Sequence, residues 1–124
     1  MLTDQAREIL SDRAIAHLAL VDEGGRPHAS PLWIAVADAG RLVVNTAEGR
    51  VKAHLLKPGT AVSISATRPG NDYESVLVRG RVVERTNDGA DAVIDSLAKK
   101  YLDADTYPFR RPGEVRVTVT IEPE

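Results

Sequence analysis

The feature that most restricts the fold is the spacing of turn signals. Clusters at Asp22-Glu23-Gly24-Gly25-Arg26, Asp38-Ala39-Gly40, Pro58-Gly59 and Arg68-Pro69-Gly70-Asn71-Asp72 cut the chain into short segments. Gly supplies positive φ, Pro fixes φ, and Asp and Asn bond their own backbone, so each cluster reverses the chain for a physical reason. Short connections of this kind favour antiparallel neighbours over a parallel doubly wound sheet.

The segments between the turns read as follows. Thr3 to Leu10 is expected to be a helix, with Thr3 as N-cap and Ala6, Ile9 and Leu10 on one face. Ala14 to Val21 is apolar at nearly every position, the pattern of a strand buried on both faces, with His17 as a core histidine. Pro27 to Ala37 reads as a second strand. Pro27 and Pro31 cannot donate to a ladder, so it belongs at an edge or carries a bulge. Arg41 to Thr46 completes a three-stranded meander. Glu48 to Lys57 changes to helical spacing through Val51, Leu55 and Leu56. Thr60 to Thr67 alternates with period two, and Tyr73 to Arg85 follows as a long strand. Asp88 is expected to cap a helix presenting Ala92, Val93, Leu97 and Tyr101, and a basic loop runs from Tyr107 to Gly113. Val115, Val117, Val119 and Ile121 alternate in the last strand. The order α-β-β-β-α-β-β-α-β is mainly β: six antiparallel strands forming a barrel with helices.

With 124 residues, the chain fits one domain spanning 1–124, since domains run to about 100–150 residues. No cysteine is present, which removes disulfides, thiolate metal sites and thiol nucleophiles. The net charge of −2 argues against a nucleic-acid partner. The longest apolar run, Pro31 to Ala37, falls far short of the roughly 20 residues of a membrane-spanning helix. The N-terminus lacks a basic stretch followed by an apolar one, so no membrane partner and a cytoplasmic location are expected. Only Trp33, Phe109, Tyr73, Tyr101 and Tyr107 are aromatic. The core must therefore be aliphatic. A domain this small buries only about two-thirds of its unfolded surface, which makes pairing with a second chain expected.

No conventional catalytic motif stands out. His17, His28 and His54 are scattered, and neither a nucleophile elbow nor a P-loop occurs. Two constellations remain. Thr46-Ala47-Glu48-Gly49-Arg50-Val51-Lys52 joins a strand end to a helix start, where backbone N–H groups, a hydroxyl and two cations could gather an anion. From the spacing alone, Arg50 and Lys52 read more readily as solvated helix residues. His28-Ala29-Ser30-Pro31-Leu32-Trp33 combines a proline-interrupted strand with the only tryptophan. It suits either a flat aromatic ligand or an edge strand with Trp33 in the core.

Taken in order, Gly25-x-Pro27-His28-x-Ser30-Pro31-Leu32-Trp33, Thr46 and Gly49-Arg50-Val51-Lys52 resemble the split-barrel, pyridoxamine-phosphate-oxidase-like flavin-binding superfamily. Within it they are most similar to the small branch of oxidoreductases that use the deazaflavin coenzyme F-420. Asn71-Asp72-Tyr73, Val78-Arg79-Gly80 and Lys99-Lys100-Tyr101 agree, and the likeness runs from about Thr3 to Ile121. It departs from the family at His54 and Asp72, and ends at Glu124 where members generally run on.

The resemblance implies a six-stranded split β-barrel that pairs as a homodimer with cofactor clefts at the interface. It implies that Arg50 and Lys52 contact the cofactor phosphate with Thr46 beside them, and that the Val51 N–H faces the same group. His28, Ser30, Pro31, Leu32 and Trp33 would lie along the ring, and Tyr73 would reach the cleft from the second subunit. The implied activity is hydride transfer from reduced F-420 to a small-molecule acceptor, without a catalytic side chain. The alternatives are the same fold holding FMN, or a non-catalytic protein binding a flavin, haem or tetrapyrrole.

Overall fold

The computed structural model describes residues 1–124. Helix α1 (Asp4–Ser11) begins where the Thr3 hydroxyl accepts a hydrogen bond from the Ala6 N–H at 3.0 Å. Its buried face is Ala6, Ile9 and Leu10, as the spacing predicts. Strands β1 (Ala16–Val21) and β2 (Pro27–Leu32) form a hairpin with Ala16 opposite Leu32 and Val21 opposite Pro27. Asp22 builds the turn: one carboxylate oxygen accepts from the N–H groups of Gly24 and Arg26, both at 2.9 Å.

The remaining strands are β3 (Ala35–Val36), β4 (Leu42–Ala47), β5 (Ala61–Arg68), β6 (Asn71–Thr86) and β7 (Arg116–Pro123), with helices α2 (Val51–Leu55) and α3 (Ala90–Leu102) between them. All seven strands belong to one antiparallel sheet in the order β2-β1-β5-β6-β7-β4-β3. Its two edges, β2 and β3, are consecutive in the chain and separated only by Trp33 and Ile34. The sheet therefore curls until its edges meet through the covalent chain, which is a split barrel. One strand was expected from Pro27 to Ala37, and six in all; the structure has seven because that stretch divides at Trp33-Ile34. Its first part pairs with β1 and its second with β4.

The backbone at the division has left the ladder and is satisfied by α3. The Ile34 N–H donates to the Tyr101 hydroxyl at 3.2 Å, and the Ile34 carbonyl accepts from Lys100 Nζ at 2.5 Å. Lys100 also donates to the Leu10 carbonyl, and the Tyr101 hydroxyl to that of Ala14. These bonds tie α3 to the seam and to α1.

Inside the curl, 20 buried apolar residues form one cluster, and none of them is aromatic. Glycine is required at Gly80 by close approach, because a Cβ there would lie 2.5 Å from the Glu122 carbonyl oxygen on β7.

Several expectations need correction. β1 is buried on one face only: Ala16, Leu18 and Leu20 point inward while His17 is exposed, so His17 is not a core residue. β7 is the opposite case. Val117, Val119 and Ile121 are buried as the alternation predicts, but Arg116 and Thr118 are buried too, because α3 covers the other face. Gly89, in the left-handed region at φ 72°, precedes α3 in place of the expected Asp88 cap. The buried face of α3 is Ala90, Ile94, Leu97 and Ala98, rotated from the predicted one. Helix α2 has only five residues because the Glu48 N–H continues the ladder to the Val115 carbonyl at 2.8 Å.

Candidate functional site

One side of β2 pairs with β1; the other has no strand partner. Along it lie two concavities that share Lys52. The larger, about 440 Å³, has an apolar wall of Leu18, Leu20 and Leu55, with His28, Ser30, Val51 and Lys52 around it. The smaller, about 180 Å³, is bounded by Pro31, Leu32, Trp33, Arg50 and Lys52 on one side and by Asn45, Tyr107, Phe109 and Arg116 on the other.

The structure thus gathers eight of the ten residues singled out from sequence around one composite cleft, divided at Lys52. Thr46 does not line it. It lies next to Asn45 at the end of β4, where its buried hydroxyl oxygen has no hydrogen-bond partner. Tyr73 lies elsewhere, fully exposed near the β5–β6 turn.

The electrostatics of the divide are one-sided. Neither Arg50 nor Lys52 forms an ion pair, and no carboxylate lines either concavity. Burial pulls the Lys52 ammonium below the usual lysine range, and the nearby charges of Arg50 and Arg116 push it further the same way. A five-residue helix adds little dipole, so the attraction for anions rests on these side chains.

At the far end of the larger concavity, His28 Nε2 lies 3.0 Å from the free oxygen of Asp22, the residue that makes the hairpin turn. The hydrogen bond from His28, followed by the backbone N–H of Arg26, holds the Asp22 carboxyl below its ordinary range. The turn therefore also orients the imidazole.

Sequence reasoning missed Asn45, Tyr107, Phe109 and Arg116. Trp33 stacks on Tyr101 with centroids 5.3 Å apart and planes at 6°. Tyr107 meets Trp33 edge-on at 6.0 Å, and Phe109 meets Tyr107 at 5.7 Å. Arg116 donates from Nε to the Asn45 side-chain oxygen and from Nη1 to Glu114, each at 2.9 Å. Its guanidinium carbon lies 5.1 Å from the Tyr107 ring centroid. The available signal was the aromatic count: three of the chain's five aromatic residues fall between 101 and 109. As a whole, the cleft can hold an anion at the divide and planar groups on either side of it.

Comparison with known proteins agrees with this architecture. The family model described as pyridoxamine 5'-phosphate oxidase matches residues 3–123. Among solved structures, an F-420 reductase is 26% identical with a TM-score of 0.82, covering 99% of this chain and 96% of that one. An FAD-binding protein from Mesorhizobium loti is 21% identical at TM-score 0.62, covering 99% and 91%. A conserved hypothetical protein from Mycobacterium tuberculosis is 21% identical at TM-score 0.70, covering 100% and 82%. The last two establish the fold alone. Nothing among the curated proteins matches. No helix of the chain is long and apolar enough to cross a membrane. With the family model spanning nearly every residue and the curled sheet built as described, the chain belongs to the pyridoxamine 5'-phosphate oxidase family of split-barrel proteins.

Proposed function

We propose that this protein is an oxidoreductase that binds reduced coenzyme F-420 and delivers its hydride to an organic acceptor. The observation that carries the reading is the divide of the cleft: Arg50 and Lys52 stand there together, and no carboxylate lines the concavity on either side of them. A phosphate there relieves the mutual repulsion of the cations and offsets the desolvation that draws the Lys52 pKa down. Arg50 offers a two-pronged fork to the phosphate oxygens, and Lys52 offers a point charge. The larger concavity, with the apolar side chains of Leu18, Leu20 and Leu55 beside the open edge at His28 to Ser30, has the character of a site for a flat ring. When bound there, a reduced deazaflavin supplies a hydride. The protein's own part is to position the ring, exclude water and neutralise the phosphate. The structural likeness to an F-420 reductase supports this cofactor.

The reading includes a homodimer. The outward faces of β1 and β6 expose Val21 and Leu77, apolar area that a second copy would cover. Tyr73, remote from its own cleft, is assigned to the partner's.

Titration of the purified protein with F-420 and, separately, FMN tests the cofactor, followed by fluorescence or heat. F-420 is expected to bind at micromolar concentration or below, and more tightly than FMN. The reverse order moves the protein to FMN chemistry, and absence of binding by either refutes the reading.

A further inference from the structure

The smaller concavity is built differently from a phosphate site. The chain has five aromatic residues, and four of them, Trp33, Tyr101, Tyr107 and Phe109, form one continuous array while none enters the core. Aromatic side chains usually dominate a core. Here they are spent on the rim, and Phe109 remains 62% exposed.

The wall is also fixed in place. The Tyr107 N–H donates to Asp95 at 2.8 Å, and Arg110 bridges Asp91 and Asp95 at the same distance, pinning the loop to α3. Arg116, only 4% exposed, is held by Asn45, Glu114 and the face of Tyr107. Its hydrogen bonds use Nε and Nη1, and the residue lines the concavity. Glu114 offsets one positive charge, which leaves Arg50 and Lys52 to make the site cationic.

Size decides what class of molecule enters. At about 180 Å³ the space lies below the roughly 300–1,000 Å³ of pockets for drug-sized ligands, so it suits one ring and its substituent rather than a tricyclic system. A bare phosphate has no use for Pro31, Leu32, Ile94 and Phe109, whereas a planar acid uses both these and the cations.

We propose that this concavity is a subsite for a planar organic carboxylate, an aromatic or conjugated acid whose carboxylate meets Arg116 and Arg50 and whose ring lies against Trp33 and Tyr107. The subsite stands independently of the cofactor reading above.

Trp33 is the sole tryptophan, so one indole N–H resonance in a proton–nitrogen correlation spectrum reports on the site directly. Cofactor-free protein is titrated with benzoate, its neutral isostere benzamide, and inorganic phosphate. Benzoate is expected to move the indole resonance saturably, and benzamide to bind about tenfold or more weakly for want of a charge-assisted bond. Phosphate, held by Arg50 and Lys52 without contact to the aromatic wall, should not reproduce the shift that benzoate causes. Arg116→Lys keeps the charge but not the fork, and Phe109→Ala alters an exposed position where folding is insensitive; each should weaken benzoate severalfold. Equal binding of benzamide, reproduction of the shift by phosphate, or wild-type affinity in both variants overturns the proposal. Benzoate binding without F-420 binding would refute the cofactor reading and leave the subsite standing; the converse would refute only the subsite.

Discussion

Inside the curl, Leu10, Leu18, Ile64, Val119 and Ile121 pack without a polar group or an aromatic ring among them. At the rim between α2 and α3, Trp33, Tyr107 and Phe109 share a surface with Arg50, Lys52 and Arg116. The first region excludes water and carries stability. The second holds two cations, Arg50 and Lys52, with no carboxylate lining the surface beside them. The two meet at the seam, where Ile34 is fully buried while the adjacent Trp33 is only partly so. Binding residues can be placed on a rim of this kind without opening the core, since the curl beneath is complete without them.

The largest effect that would expose a flaw in this division comes from the core. Ile64→Ala, at a fully packed position, is expected to cost about 2–5 kcal/mol in denaturant unfolding. Cofactor affinity at temperatures where the variant stays folded should be unchanged; a parallel loss of affinity would mean that the two regions are coupled. The reciprocal change is Arg50→Glu with Lys52→Glu. It should weaken F-420 binding by about a hundredfold or more through loss of charge-assisted bonds. Stability should move far less than for Ile64→Ala, and a comparable drop in unfolding free energy would show the cations to be structural.

Smaller effects come from pH. Burial brings the Lys100 ammonium at the seam down to about 8. Above that pH the unfolded chain, with its ordinary lysine, binds more protons than the folded one, so this residue makes stability rise with pH from about 8 towards 10. Above 10 the buried Tyr101 hydroxyl, whose pKa burial raises, opposes the trend. Lys100→Met should flatten the rise in melts between pH 7.5 and 10, and identical slopes would show that the ammonium is not desolvated. The smallest expected effect is at Lys52. Its lowered pKa means that its charge is lost at lower pH than that of an ordinary lysine, so F-420 affinity should decline moderately in alkaline buffer. Arg50 stays charged, which keeps the decline partial. Lys52→Arg should abolish the pH dependence.

The parts legible in the sequence were those governed by neighbours along the chain. Thr3 caps α1 because its hydroxyl needs only the N–H three residues on, and the β1–β2 turn follows from Asp22 and the glycines. Arg50 and Lys52 were visible because they stand at a strand-to-helix junction. Arg116 was not, because an arginine alternating with valines reads as the solvated face of a strand until α3 is known to cover it. The break at Trp33-Ile34 was equally hidden: its cause is the hydroxyl of Tyr101 and the ammonium of Lys100, more than sixty residues away. The far wall of the smaller concavity depends on the 107–109 loop, whose anchoring to Asp91 and Asp95 no local pattern announces.

The seam has a mechanical consequence. A hoop whose ends are joined by two residues has its circumference set by chain length, not by hydrogen-bond strength. Adding one residue between Trp33 and Ile34 would invert the facing of every side chain in β3, because side chains alternate along a strand. Adding two would preserve facing and widen the gap beside the open edge of β2. Cutting the chain there would let the two strand edges, which already lack strand partners, spring apart and become more open to pairing with other chains. The short link that bounds the cleft is thus also the gauge that sets its width and the clasp that keeps the barrel from associating edge to edge.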